Sequence, residues 1–417
     1  MIEQLALIPV TALLVIVISQ YIILSRPRKT YSNPYWPSLS ILVPAFNEEK
    51  YIKKTVSSIL KSDYRGKREV IVINDGSTDR TGKILKGLSG IKVLNTPHLG
   101  KSRALNEAIS KSKNDVIVVI DGDTEIEREA LKNLVKPLQD RKVAAVGGIV
   151  KVRNKGRPIS WFQNIEYLYS SFFNSLCDRI NGNIFTPGPL SAFKKDMVEV
   201  LDRFNTRVFL EDVDMSLRLV KKGYTIRIAE EAVVRTNVPE SVSSWARQRR
   251  RWMKGGIEMI KNHRSILFKR RFGACGFYPF PIISYWYFHS LLMGIILFLQ
   301  IFGGYYTYFY LNGVIMSPAV LQYFFYWFSF LGIVNLGYLM WTGALPVTLL
   351  SVMSILVTVF AYPLYIYSFK KFRERLTFRD IAALFFLFPY WLLVLAVQFS
   401  SNIHWLLPTE RKNWWVK

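Results

Sequence analysis

Two short stretches hold residue types whose spacing can do chemistry. Asp121-Gly122-Asp123 closes an apolar run, DVIVVI, at residues 115–120. Two carboxylates so placed can hold a hard divalent cation against a diphosphate, since such ions take oxygen ligands and leave part of their shell to phosphate and water. Well downstream lies Gln248-Arg249-Arg250-Arg251-Trp252. On a helix Gln248, Arg251 and Trp252 fall at i, i+3 and i+4, on one face, with Arg249 and Arg250 directed elsewhere. An indole packs on a flat apolar face such as that of a sugar ring, and a guanidinium grips phosphate bidentately. The plainer account is an interfacial amphipathic helix with snorkelling arginines. Both can hold, with Trp245, Trp252 and Met253 also turned to lipid.

The elements that must position these groups can be read around them. Residues 38–44, 69–74, 91–94 and 115–120 are short apolar, β-branched runs, as expected of parallel strands covered on both faces. Helical stretches at 48–62, 78–88 and 102–110 alternate with them. This pattern predicts an open α/β sheet with ligands beyond the carboxyl ends of its strands. Polar groups follow those ends three times: Asn47-Glu48-Glu49, Asn74-Asp75-Gly76-Ser77-Thr78-Asp79 and Asp121-Gly122-Asp123. Any one alone reads as a turn or a helix cap. Their recurrence on one edge reads as a site. Trp161, Ile165, Leu168, Phe172 and Leu176 recur at helical spacing and predict an interfacial helix roofing it.

The run VPAFNEE, VINDGSTD, GKSRALNEA, VIDGD, LEDVD and QRRRW, spread over residues 38–256, resembles a family 2 glycosyltransferase of the GT-A fold. Within it, the chain is similar to the membrane-integrated processive branch of cellulose, chitin, hyaluronan and poly-N-acetylglucosamine synthases. The resemblance implies an α/β GT-A domain, a Rossmann-like mixed sheet, joined to an α-helical transmembrane domain with interfacial amphipathic helices. It implies a nucleotide-sugar donor, a UDP-sugar by preference, contacted by Pro44, Phe46, Glu48, Asp75, Lys101 and Asp121. It places Mg²⁺ or Mn²⁺ on Asp123 and Asp121. Gln248, Arg251, Trp252, Glu211, Gly188 and Pro189 then serve the acceptor and the diphosphate. Leu210-Glu211-Asp212 stands where the family has Thr-Glu-Asp, so Asp212 becomes the general base, with Leu210 departing from the pattern. The alternative for these acids is a charged helix start. Thr186-Pro187-Gly188-Pro189 looks like the acceptor loop of hyaluronan- and chitin-type synthases, or an ordinary turn.

The implied function is inverting extension of a β-linked polysaccharide, with passage of the polymer through the chain's own helices past the aromatic residues of 277–310. Transfer of one sugar to a lipid acceptor is the second reading, against which Gln-x-x-Arg-Trp argues. A binding or transport protein with a decayed transferase domain is the third. Retention of Asp75, Asp121, Asp123, Asp212 and Trp252 argues against it.

Composition agrees with a membrane protein. Half of the 417 residues are hydrophobic, and the apolar runs gather at 5–24 and beyond 276. The predicted organisation is a transmembrane helix at 1–29, the transferase domain at 30–240, an interfacial region at 241–275 and a transmembrane domain at 276–417. A net charge of +25 fits a cytoplasmic face on anionic lipid and a channel for diphosphates, without the motifs of a nucleic-acid binder. Cys177 and Cys275 stand at no motif spacing. Arg26, Arg28 and Lys29 after the first run put the large domain in the cytoplasm. Four later runs, at 281–303, 318–341, 345–367 and 382–405, match the ~20 residues of a span. Three crossings from Lys269-Arg270-Arg271 would leave Lys370-Lys371-Phe372-Arg373-Glu374-Arg375 outside. Either one run fails to cross or the charge rule is broken. Arg411, Lys412, Trp414 and Trp415 read as an interfacial tail.

Overall fold

The computed structural model describes residues 2–406, and the tail at Arg411, Lys412, Trp414 and Trp415 lies outside them. An apolar helix, α1 (Ile2–Leu24), leads into the α/β domain. There the β-branched runs form β1 (Leu39–Ala45), β2 (Arg68–Asp75), β3 (Lys92–Thr96) and β4 (Val116–Ile120). They alternate with α2 (Ile52–Leu60), α3 (Thr81–Lys86) and α4 (Lys101–Lys111). Every residue of β1 and β4 is buried, as continuous apolar runs in central strands require. These four strands are parallel, in the order β3-β2-β1-β4. α2 and α3 are shorter than the predicted stretches, because residues 48–51 and 78–80 form turns.

The rest of the sheet had no comparable signal. After β5 (Glu125–Ile126) and α5 (Ala130–Val135) come β6 (Val143–Val152), α6 (Pro158–Arg179), β7 (Leu190–Lys194), α7 (Lys195–Val200), α8 (Glu211–Lys221) and β8 (Thr225–Thr236). The sheet thereby reaches eight strands in the order β3-β2-β1-β4-β7-β6-β8-β5, with β7 antiparallel to β4 and β6. That reversal decides where a site can form. Ile120 pairs with Leu190, so the loop before β7 opens at the same sheet edge as the loop after β4.

α9 (Val242–His263) and α10 (Ala274–Phe277) connect this domain to α11 (Pro279–Tyr308), α12 (Pro318–Phe328), α13 (Leu331–Trp341), α14 (Leu349–Lys371), α15 (Phe378–Phe385) and α16 (Leu387–Leu406). Gln4–Leu24, Ala274–Asn312 and Leu349–Lys371 are long and apolar enough to cross a bilayer. The expected single runs at 318–341 and 382–405 are instead broken, α12 and α13 meeting at 106° and α15 and α16 at 64°.

The start of α11 and the end of α14 both meet the α/β domain. Phe280, at the start of α11, is buried with Phe193 and Met215 of the α/β domain. The far end of α14 returns to the same domain: Lys371 Nζ lies 2.9 Å from Glu230, Lys151 Nζ donates to the Phe372 carbonyl at 2.6 Å, and Lys155 pairs with Glu374 at 2.7 Å. The segment Lys370–Arg375 thus meets the same α/β domain against which the start of α11 is buried.

Two further expectations change. In α6, Ile165, Leu168, Phe172 and Leu176 are fully buried in one cluster with Trp245, Phe369 and Tyr390, so this stripe seats the α/β domain on the membrane helices instead of roofing a cleft. Along α11, Phe288, Phe298, Phe302 and Tyr306 are exposed on the outside of the bundle, so they do not line a path through it.

The contact between α9 and α11 depends on a glycine. A Cβ built on Gly256 would lie 1.6 Å from the Tyr287 hydroxyl oxygen and 2.4 Å from its Cζ. Gly256→Ala is expected to destabilise the chain by ~1–3 kcal/mol through overpacking. Combining it with Tyr287→Leu should recover much of that loss, read as a positive coupling in a double-mutant cycle of thermal melting.

Candidate active site

Three parallel strands end at one edge of the sheet, and their trailing loops lock together. The Asp121-Gly122-Asp123 turn rests on the first loop: a Cβ on Gly122 would meet the Pro44 carbonyl oxygen at 3.0 Å and Glu48 Cγ at 3.1 Å. Thr55 Oγ1 donates to the Gly122 carbonyl at 2.9 Å from α2. Asn47 Oδ1 accepts from the Thr78 amide at 2.8 Å, tying the first loop to the second. Pro44 and Glu48 are buried beneath the turn.

Asp75 takes a different position from a free base-contacting carboxylate. It is 2 % exposed. Its Oδ1 accepts from the Leu99 amide and Thr96 Oγ1, both at 2.7 Å, and its Oδ2 from the Gly100 amide at 2.9 Å. Three of roughly four lone-pair sites on the carboxylate are thus used to fold the 96–100 loop. That loop presents His98, whose ring stacks on Phe46 with centroids 4.1 Å apart. Phe46 was expected at the nucleotide; His98 was not, since nothing in its spacing marked it.

The charged centre gathers five residues from four separate parts of the chain. Lys101, the first residue of α4, places Nζ 2.7 Å from Asp121 Oδ1 and 3.1 Å from Glu211 Oε1. A Cβ on Gly188 would stand 3.0 Å from Asp212 Oδ2, 3.7 Å from Lys101 Nζ and 3.9 Å from Asp121 Oδ2. A side chain there would press on the Asp212 carboxylate, so glycine lets the loop before β7 lie close against the acids. Pro189 follows it, partly buried. Asp212 Oδ1 accepts from the Val213 amide at 2.9 Å, inside the first turn of α8. Asp214, by contrast, turns away to His263 at 3.0 Å and Arg218 at 2.7 Å.

The electrostatics follow from this crowding. Desolvation pushes the Asp212 carboxyl up to about 7, helped by the neighbouring Glu211 charge and opposed by Lys101. Burial works against the charge on Lys101, but Asp121, Glu211 and Asp212 outweigh it and hold the ammonium well above the usual lysine range. A carboxyl titrating near neutrality suits proton abstraction at physiological pH.

Asp123 stands beside this centre, its Oδ1 accepting from Thr236 Oγ1 at 3.3 Å and its carbonyl from Asn237 Nδ2 at 3.1 Å. Among the described residues no group of three His, Cys, Asp or Glu side chains gathers that could hold a metal ion alone. The two carboxylates of the turn are an oxygen-only, incomplete donor set. That set fits Mg²⁺ or Mn²⁺, which complete their shells with substrate phosphate and water, and is too hard and too small for zinc.

α9 approaches from the membrane side. A Cβ on Gly255 would meet Leu210 Cγ at 2.4 Å, so leucine in place of threonine packs into the helix where glycine leaves room. Phe209 donates its amide to Glu258 at 2.9 Å. Trp252 lies 6.3 Å from the Tyr167 ring, and Tyr167, pushed up to about 12 by burial, feels both Arg249 and Asp123. Gln248 and Arg251 are partly exposed beside Trp252. Trp245 does not turn to lipid: it is 1 % exposed and donates to the Tyr390 hydroxyl at 3.3 Å. Glu166 and Tyr167 escaped sequence reasoning. No local signal marked them, since α6 also carries Gln163, Asn164, Asn174 and Asp178 among its apolar residues.

An α/β sheet with carboxylates, a lysine and an aromatic pair at its carboxyl edge, packed on long apolar helices, has the layout of a ligand-binding α/β enzyme domain joined to candidate membrane spans. Residues 37–255 match the model of the family described as glycosyltransferase like family 2. The chain belongs to that family. It is 34% identical over 245 residues to the probable glycosyltransferase YdaM of Bacillus subtilis (strain 168), covering 56% of this chain and 58% of the relative. It is 31% identical over 228 residues to the poly-beta-1,6-N-acetyl-D-glucosamine synthase of Staphylococcus aureus (strain COL), covering 53% and 55%. The chain thus spans a little over half the length of these relatives. The solved mannosyltransferase PcManGT from Pyrobaculum calidifontis, in complex with GDP-Man and Mn2+, shares the fold: TM-score 0.62 and 20% identity over 97% of this chain and 99% of that one. The expected GT-A fold is therefore present.

Proposed function

We propose that this chain is a membrane-embedded, inverting hexosyltransferase that extends a β-linked polysaccharide from a nucleotide sugar, a UDP-sugar by preference. The observation that carries this reading is the meeting of Asp212, Asp121 and Lys101 around Gly188, with α9 and its Trp252 packed alongside. Asp212 takes the proton from the acceptor hydroxyl, whose oxygen attacks the anomeric carbon opposite the diphosphate. The configuration inverts, and an α-linked donor gives a β-linked product. Phe46 and His98 form an aromatic wall for the nucleobase, with Asp75 holding that wall in place. Lys101 supplies positive charge near the leaving diphosphate, and Glu211 fixes Lys101. Gln248 and Trp252 hold the terminal sugar of the acceptor, Arg251 grips the diphosphate, and Gly188-Pro189 bounds the acceptor. A divalent ion held by Asp123 and Asp121 would supply Lewis-acid neutralisation of the departing phosphates. The poly-N-acetylglucosamine synthase among the relatives supports a polymer, and an amino sugar within it. The catalytic domain lies in the cytoplasm and the chain crosses the membrane several times, a reading supported by the basic segments beside the apolar helices.

One observation favours a lipid acceptor. Between α1 and α11 an open, largely apolar groove of about 600 Å³ is lined by Leu7, Ile8, Thr11, Val15, Ile282 and Tyr285 with their neighbours. An acyl or prenyl chain fits such a groove.

The deciding experiment offers UDP-GlcNAc, UDP-Glc and GDP-Man, with Mg²⁺ or Mn²⁺, to the purified chain in lipid nanodiscs, with Asp212→Asn as blank. UDP release with long, glycosidase-sensitive product is expected. A product of one sugar on lipid would transfer the assignment to the second reading. No release from any donor would refute the enzyme.

A further inference from the structure

Arg249 lies inside the tripartite junction of α6, α9 and α16 with no exposed surface. One guanidinium nitrogen pairs with Glu166 of α6 and lies 3.4 Å from the Tyr390 hydroxyl of α16, while Tyr390 itself donates to Glu166. The other terminal nitrogen donates to Gln248 Oε1 at 3.0 Å. The cation is also sandwiched: its centre is 4.2 Å from the Trp252 ring and 5.8 Å from that of Trp245. Neither Trp252 nor Gln248 is rigid by its own packing, as both remain partly exposed. Arg249 is the buried group that touches both.

From this we infer that Arg249 is a positioning residue for the acceptor, fixing the plane of Trp252 and the amide orientation of Gln248, with Glu166 and Tyr390 as its anchors. The inference rests on the acceptor role proposed above for those two side chains. Two physical consequences follow. Because Arg249 donates to one of the two lone pairs of the Gln248 carbonyl oxygen, the amide is held with its NH₂ group directed away from the guanidinium, and that group meets the acceptor as a hydrogen-bond donor. Because the same guanidinium binds a tyrosine of a membrane helix, the acceptor platform is held in register with the bundle that the product enters. A lysine would keep the charge for Glu166 but could not stack as a plane on Trp252 while also reaching Gln248 and Tyr390.

The test uses the full chain in nanodiscs with UDP-GlcNAc and β-linked N-acetylglucosamine oligomers as probe acceptor. Arg249→Lys should raise the oligomer KM about tenfold, the scale of a desolvated cation–π contact, and leave the donor KM unmoved. In a Trp252→Ala, Gln248→Ala background the same substitution should add nothing, because the groups through which it acts are gone. Should Arg249→Lys fail to fold, Tyr390→Phe, which keeps the Arg249–Glu166 pair, is expected to raise the oligomer KM about threefold at an unchanged donor KM. Equal change in both KM values, or full additivity in the double-alanine background, would reduce Arg249 to a structural residue and overturn the inference. A wild-type chain that turns over no donor refutes the transferase reading, and this inference with it; a wild type that is active with unshifted variants refutes this inference alone.

Discussion

Asp212→Asn is expected to lower turnover by roughly 10²–10⁴-fold, the range for loss of a positioned general base, while leaving the fold at least as stable at pH 8. The two effects have one cause. In the folded chain desolvation and Glu211 push the Asp212 carboxyl up to about 7, against ~3.9 for an unperturbed aspartate. The folded chain therefore binds this proton more tightly than the unfolded one. Its contribution to stability is whole below pH ~4 and is lost as pH rises through about 7. Asparagine carries no charge to desolvate, so the variant escapes that loss. Activity runs the other way: the base must be ionised, so turnover in the wild type should rise with pH and level off above about 7. Nucleotide-release profiles and melting curves at pH 5.5 and 8 measure both. Substantial turnover by Asp212→Asn would move the base to Glu211, and a large fall in its melting temperature at pH 8 would contradict the desolvation argument.

Asp123→Ala should cost at least ~10²-fold, the scale of removing one preorganised electrostatic partner. Chelation should have the same effect on the wild type, reversed by Mg²⁺ or Mn²⁺. The variant is not expected to unfold, because Thr124 Oγ1 remains bonded to Thr236 Oγ1 at 3.1 Å and Asn237 to the residue 123 carbonyl. Calorimetric titration separates binding from chemistry: nucleoside diphosphate should bind the wild type more tightly when Mn²⁺ is present, and Asp123→Ala equally with or without it. If chelator leaves wild-type turnover intact, Lys101 and Arg251 carry the leaving group without a metal and the Asp-x-Asp turn is structural.

The first half of the sheet was legible because a central parallel strand must be apolar on both faces, and residues 39–45 and 116–120 are so in unbroken runs. β6 and β8 are longer, yet Gly147-Gly148 and Arg227, Glu230 and Glu231 break their pattern. Those residues serve contacts far away in the chain. Gly147 makes room for Pro187 and Gly148 for Leu190, and Arg227 pairs with buried Asp178 at 3.1 Å. The candidate site was legible where motif residues sit in the turn after a strand, as Asp121 and Asp123 do, or at the start of a helix, as Lys101, Glu211 and Asp212 do. Its supporting residues were not. His98, Glu166, Tyr167 and Tyr390 belong to no local pattern, since each is placed by what it meets across the fold.

From its residues alone, this chain determined that an α/β sheet would end in acids at one edge, that an arginine-rich helix would follow, and that apolar helices would anchor both. Periodicity and turn chemistry are local properties, and they survive in a one-dimensional string. Only the tertiary structure decided the rest. The antiparallel placement of β7 brings Gly188 to Asp212. The return of α14 to Glu230 and Lys151 ties its end to the α/β domain. Arg249, one of three adjacent arginines in the string, becomes the buried one because Glu166 and Tyr390 converge on it. Ion pairs and close approaches depend on distances between residues far apart in sequence, and such distances exist only once the chain has folded.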